Sequence, residues 1–544
     1  MKKLFSTLLS VMVIASFLLA GCGGGKAGAK VVTLTYPQEF DSLSPLYTSM
    51  WFSWTTWQMF EHWPWEFNDK NEPFPVLVTE IPSVANGGVS ADGRVITMHL
   101  RNGLKWSDKA PLTAEDFIFT WKMATSPKNA VSSAYPYDAI ESVTAPDPKT
   151  VVITFTDPFA PWLATLWHGI LPSHILQSVF DEQGTIDNAE WVQMPTVGFG
   201  PYVLAEWEKG SFARFVQNKN YWGKAPKIPE VFIRFVADDA AQVAALKAGD
   251  TDLGTFIAYS DVPGLKDAGL KMMVEPSGYS EWMFFLVNEE KGHPALLDVN
   301  VRKAIALAID PASINRDLHF GLTKTPASFW DALPYYNNPP LSPYPFDPEQ
   351  AKQLLDQAGW VDSNANGIRD KNGVELELDH ATTIRKDRQD VQAVLQQELA
   401  AVGIKLNINS VDDTLYFGSY ADGGPAAKGE YDIMEWSDGP LFPDPDLYYW
   451  YCSEIPSDDY PTGENWFYLC DEELDRLIGL QSTQVDPVER QKTISQINQL
   501  FYDKVYLIGL WQDPDVYAVG PRLQNVKFSG VTMFYNIAEW DLTK

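Results

Sequence analysis

The chain has 544 residues, 45% of them hydrophobic and 21% charged, with a formal net charge of −30. That length exceeds the roughly 250–300 residues at which a single core stops growing, so more than one folded unit is expected. The excess of carboxylates repels phosphate backbones and anionic headgroups, which disfavours nucleic-acid binding and a polybasic grip on a membrane.

At the N-terminus, Lys2 and Lys3 precede an apolar run from Leu4 to Ala20, interrupted only by Ser6, Thr7, Ser10 and Ser16. Residues 1–21 read as an export signal outside the fold, because the run is shorter than the ~20 residues a membrane span needs. It ends in Leu19-Ala20-Gly21-Cys22, which resembles the lipobox of bacterial lipoproteins. The resemblance implies cleavage before Cys22 and a lipid on that cysteine. Residues 22–30 would then be a flexible tether holding the protein to the cell membrane, in the periplasm or on the outer face. Two cysteines remain, Cys452 and Cys470. In an oxidising compartment they are expected to pair, the alternative being two buried free thiols.

Val31 to Tyr36 reads as the first strand, β-branched and bounded by Pro37. A run of aromatics follows, from Trp51 to Phe67. Val95 to Leu100 and Val151 to Phe155 read as strands; Thr113 to Met123 reads as a helix whose Thr113 and Asp116 form a capping box. Pro161 to Ile170 reads as a short aromatic helix. A strand over Val231 to Val236 leads to a helix over Asp238 to Ala248, stopped by Gly249. Further helices are expected over 298–309, 347–358, 387–402 and 486–500, with a strand over 404–408. In the second of these helices Asp347 caps, Pro348 takes the first turn and Gly359 ends it. The alternation without a strict repeat is that of an α/β protein.

Several segments together resemble the family 5 extracellular solute-binding proteins, which include oligopeptide-, dipeptide- and nickel-binding members. They are Val89-Ser90-Ala91-Asp92-Gly93-Arg94, Leu100-Arg101-Asn102-Gly103-Leu104-Lys105-Trp106-Ser107-Asp108, Pro111-Leu112-Thr113-Ala114-Glu115-Asp116-Phe117, Gly198-Phe199-Gly200-Pro201-Tyr202 and Ala245-Leu246-Lys247-Ala248-Gly249-Asp250. Val299-Asn300-Val301-Arg302-Lys303-Ala304-Ile305 and the Asp347-Pro348 helix continue the series in order. The family usually has threonine at Phe199 and glycine at Lys109. The resemblance implies a two-lobed, hinged periplasmic-binding-protein-like fold with an additional subdomain. By analogy, lobe I would comprise residues 31–74, 196–280 and 504–544, the subdomain 75–195, and lobe II 281–503. It further implies a monomeric, non-enzymatic binding component of an ABC importer, without a cofactor, which carries its ligand in the interlobe cleft to permease subunits.

Peptide-binding members take the ligand's α-ammonium on an aspartate near a tryptophan, shortly before an Asp-Pro. Here Asp438 follows Trp436 and precedes Asp444-Pro445, and is the expected counterpart. The chain has 20 tryptophans, and some relatives stack indoles on oligosaccharides, which makes a sugar the alternative ligand. Trp51, Trp54, Trp57, Trp282, Trp330, Trp436 and Trp466 are candidate cleft residues. Asp362, Asn364, Asn366 and Asp370 resemble the start of a calcium loop, but Gly373 stands where its glutamate belongs, and a polar turn is the expected reading. No His-Glu-x-x-His, Gly-x-Ser-x-Gly or Walker A pattern is present.

Overall fold

The computed structural model describes residues 30–543 apart from 49, 276 and 441. The expected export signal, Cys22 and all of the tether but Lys30 lie outside the described residues.

The strand Val31–Tyr36 sits inside a seven-stranded sheet, with Glu230–Phe235 and Leu253–Gly254 parallel to it on either side. Phe212–Gln217 and Tyr202–Glu208 extend one edge, and Asp515–Val519 and Lys271–Glu275 extend the other, all antiparallel. Packed against this sheet is the helix Trp51–Phe60, eight of whose ten residues are buried. A helix apolar on nearly every side has no amphipathic stripe, so the aromatic run shows no helical period in the sequence. Its last carbonyl, on Phe60, accepts from the amides of Phe199 (2.9 Å) and Gly200 (2.7 Å). A Cβ at Gly200 would lie 2.6 Å from the Phe60 carbonyl carbon, which is why the Gly-Phe-Gly-Pro turn needs glycine there.

A three-stranded antiparallel sheet forms a separate layer: Val95–His99, Thr150–Phe155 and Ile140–Asp147. The helices Ala114–Ala124 and Ser173–Gln183 accompany it, and the Thr113–Asp116 capping box is present. The Asp116 carboxylate also accepts from the amide and hydroxyl of Ser173, tying the two helix starts together. Lys109 has φ 82°, the left-handed region where a side chain is strained and glycine is favoured. The aromatic helix expected over 161–170 is only Trp162–Thr165, because the chain turns out of helix at Leu166 and Trp167 has φ 61°.

The second large sheet has five strands in the order Lys405–Val411, Glu377–Thr383, Ile433–Asp438, Ser280–Phe285 and Leu507–Gln512. Ser280–Phe285 is buried along its whole length and alternates between two cores. Met283 and Phe285 face one core, and Trp282 and Phe284 face the other. The helices Val299–Ala308, Pro348–Gln357 and Lys386–Ala400 cover the first face; Glu472–Thr483 and Pro487–Lys504 cover the second. Aspartates 298, 347, 471 and 486 cap four of these helices.

The two large sheets define a two-lobed α/β fold. The chain crosses between them at 275–280 and again at 512–515. The crossings run side by side, since Glu275 pairs with Asp515 and Ser280 with Gln512. The expected cut after residue 503 is therefore misplaced. Leu507–Gln512 is an apolar, almost wholly buried strand that completes the five-stranded sheet, and only the chain beyond Asp515 returns to the first lobe.

Candidate functional site

The junction of the lobes is built around Asp513, in the second crossing. Its carboxylate accepts from Arg385 Nη1 (3.1 Å) and the Ser437 hydroxyl (2.7 Å) on the second lobe, and from the Tyr259 hydroxyl (2.5 Å) on the first. Burial opposes ionisation of Asp513, but the Arg385 charge and these hydrogen bonds hold its carboxyl well below the usual carboxylate range. Arg385 also pairs with Asp387 (2.9 Å) and lies 5.2 Å over the ring of Phe256, a first-lobe residue. The Ser437 hydroxyl also lies 2.6 Å from Glu281, so its one proton is shared between the Asp513 and Glu281 carboxylates. Glu281 and Arg388 form a buried ion pair at 2.7 Å, and burial pushes the Glu281 carboxyl up to about 7 despite that partner.

Next to this network stands Asp438, at the end of Ile433–Asp438 and opposite Ser280. One carboxylate oxygen accepts from the Gly439 amide (2.8 Å) and the other from Trp436 Nε1 (3.3 Å), while the one proton of the Tyr449 hydroxyl is shared between the first oxygen (3.2 Å) and the Gly439 carbonyl (2.7 Å). Trp282 Nε1 holds the backbone carbonyl of Asp438 at 3.0 Å. Among the described residues no basic side chain forms an ion pair with Asp438, and burial pushes its carboxyl up to about 7. It is a half-buried acid with neutral donors around it and no cation opposite it.

The tryptophans separate into two groups. Trp57, Trp282 and Trp330 are buried, and each indole N–H is spent on a backbone carbonyl, of Leu43, Asp438 and Pro445 respectively. Trp57 and Trp330 are core residues, and Trp282 supports Asp438 from behind. Trp51 and Trp54 keep exposed surface on the first lobe, Trp51 packed edge-on against Phe256 at 5.5 Å. On the second lobe, Trp466 is half-buried, edge-on to Trp436 (6.5 Å) and stacked with the exposed Phe417 (6.4 Å).

The loop after Asp438 reaches the three-stranded subdomain. Tyr448 stacks on Tyr135 at 4.0 Å, and the Tyr135 hydroxyl donates to Asp446 (2.8 Å). Asp444 is taken by a bidentate pair with the buried Arg490 (2.6 and 2.7 Å). The Asp444-Pro445-Asp446 segment is thus a structural brace, and Asp438 alone of these acids has no such employment. A disulfide joins Cys452 to Cys470 and ties the loop carrying Tyr449 to the start of Glu472–Thr483. The Asp362 loop is exposed and closed by its own bonds. Asp362 accepts from the amides of Asn366 and Gly367, Asp370 from Ser363, and Glu375 from Asn366 and Asn364. No cluster of three metal-ligating side chains occurs among the described residues.

Sequence reading missed Arg385, Asp513, Tyr259, Phe256 and Tyr449. They come from four distant stretches of chain, and none belongs to a local motif. The available signal was Asp513-Pro514-Asp515, acids and a proline between two apolar strands.

Residues 72–456 match the family of bacterial extracellular solute-binding proteins, family 5. Over its full length the chain is 24% identical to the oligopeptide-binding protein AppA of Bacillus subtilis, 99% of which is covered. A putative ABC transporter peptide-binding protein of Brucella ovis is 31% identical over 62% of each chain. Two solved structures share the fold across 94% of this chain. NikZ from Campylobacter jejuni, in complex with Ni(L-His), has a TM-score of 0.80 at 24% identity and is covered completely. AppA from Bacillus subtilis, in complex with a nonapeptide, has a TM-score of 0.77 at 22% identity and is 99% covered.

Proposed function

Because this chain belongs to the bacterial extracellular solute-binding proteins of family 5, we propose that it captures peptides between its lobes and delivers them, unchanged, to an ABC permease. The protein would act outside the cytoplasm, held to the membrane by lipid on Cys22. The observation that carries the peptide reading is Asp438. A half-buried carboxylate with only neutral donors and, among the described residues, no cationic partner is a receptor for a positive group, and a peptide's α-ammonium supplies that charge with hydrogen-bonding directionality. The similarity to the oligopeptide-binding protein AppA agrees with this reading.

A hinged cleft works by population shift: a ligand that touches both lobes favours the closed form in proportion to its differential contacts. The paired crossings supply the hinge, and Arg385 over Phe256 and Tyr259 against Asp513 are contacts that opening would break. Sugar binding would lean on Trp51, Trp54 and Trp466, the expected tryptophans that keep exposed surface. Titration calorimetry with mixed-sequence peptides, their N-acetylated forms and cello- or manno-oligosaccharides decides between the two. Free peptides should bind and acetylated ones should not. Binding of oligosaccharides with no response to peptides refutes the proposal.

A further inference from the structure

The chain's net charge of −30 disfavours a polybasic grip on a membrane, yet its cations are not spread evenly. A cavity of about 600 Å³ opens on the first lobe beside the edge strand Lys271–Glu275 and the segment 519–527. Four lysines line it, Lys224, Lys227, Lys271 and Lys527, against one carboxylate, Glu539. All four are exposed. Lys227 leans on Asp541 at 3.5 Å and Lys527 on Asp69 at 3.2 Å. Lys224 and Lys271 have no carboxylate within 4.0 Å among the described residues. With Asp541 and Asp69 counted beside Glu539, four lysines face three carboxylates, a local excess of cations in a chain where carboxylates outnumber cations 71 to 41.

The position of the cavity is the second observation. The described chain starts at its rim. Lys30 reaches Asp541, the same carboxylate that holds Lys227, and Arg522 Nη2 donates to the carbonyl of Val31. Cys22 is eight residue steps upstream of Lys30, a reach of at most about 29 Å. A lipid on Cys22 would therefore keep Lys30, at the rim of the cavity, within that distance of the bilayer surface; an anionic leaflet attracts lysines, and the attraction decays over about a Debye length.

We infer that this cavity is a docking site for the anionic phospholipid headgroups of the membrane that holds the tether. Lysine ammoniums meet phosphate as point charges with three donors each. Docking there would orient the first lobe on the membrane and restrict how the cleft is presented to a permease. The inference rests on lipidation of Cys22 and not on the identity of the cleft ligand, so a failure to bind peptides leaves it standing.

The test uses the full chain, exported and processed by a lipoprotein-competent host, on phosphatidylcholine vesicles with and without phosphatidylglycerol. Lysine reactivity toward a membrane-impermeant amine reagent is read by peptide mass spectrometry, with Lys303 of the second lobe as reference. Phosphatidylglycerol should slow labelling of Lys224 and Lys271 by about fivefold, the worth of one lysine at an anionic surface. High salt should abolish the effect. In the Lys224→Gln, Lys271→Gln double variant, protection of Lys527 should fall to its value on phosphatidylcholine alone. Equal labelling on both vesicle types, or equal slowing at Lys303, overturns the inference. So does equal protection by soluble glycerol phosphate without phosphatidylglycerol, which would make the cavity a site for a free phosphate ligand. An N-terminal peptide without acyl chains overturns its premise.

Discussion

Replacing Asp438 tests the proposed ligand chemistry most directly, because the carboxylate's own titration marks its role. In the unliganded protein its pKa is pushed up to about 7 by burial. An ammonium bound opposite needs the ionised form, so binding below that value must expel a proton. The sign follows from the raised value: the Asp438 contribution to affinity is full above about pH 8, is halved near pH 7 and falls by about tenfold per unit below that, or roughly 100-fold at pH 5. At pH 6 about nine in ten molecules carry the proton, so calorimetry in buffers of different ionisation enthalpy should show about 0.9 protons released per peptide bound. At pH 8 Asp438 gives up only about a tenth of a proton while the peptide's α-amine, with a pKa of about 8, takes up about half of one, so the exchange should turn into net uptake. Asp438→Asn removes the charge but keeps the shape, and should weaken free peptides about 30- to 5000-fold, the range for losing one partner of a desolvated charge pair. It should leave any residual binding free of the loss between pH 7 and 5. An affinity flat across this range in the unsubstituted protein, or an Asp438→Asn variant that binds peptides normally, refutes the reasoning.

The Arg388–Glu281 pair is almost wholly buried, so Arg388→Met should cost about 3–5 kcal/mol by stranding the carboxylate, while Arg388→Met with Glu281→Gln recovers most of that in urea denaturation. A double variant no more stable than the single one contradicts the pairing. Breaking the 18-residue Cys452–Cys470 link by Cys452→Ser, Cys470→Ser should lower stability by about 3 kcal/mol on the chain-entropy account, and reductant should then have no further effect on the denaturation midpoint. Lys109 occupies a left-handed conformation, so Lys109→Gly should raise stability by about 1 kcal/mol; an unchanged or lowered midpoint counts against strain at that turn.

Local features were legible wherever one short segment contained the whole physical cause. The capping aspartates 298, 347 and 486, the Thr113–Asp116 box and Gly249 at a left-handed helix end (φ 78°) each act over a few residues. Cys452 and Cys470 could be paired on paper because only two thiols remained after Cys22. The helix Trp51–Phe60 could not be read, since burial on nearly all sides erases the periodicity that reveals a helix. Trp57, Trp282 and Trp330 looked the same in the sequence as Trp54 and Trp466; only packing separates indoles that brace a core from those that keep a free face.

The sequence by itself determined the α/β class and the family, because those depend on local propensity and on segments kept in order. Tertiary structure alone decided that Leu507–Gln512 belongs to the second lobe, that Asp513 gathers Arg385, Ser437 and Tyr259 at the crossing, and that four scattered lysines meet in one cavity. The reason is range. Strand pairing and charge clustering join residues hundreds of positions apart, and nothing in either stretch of chain specifies its partner until both sheets are assembled.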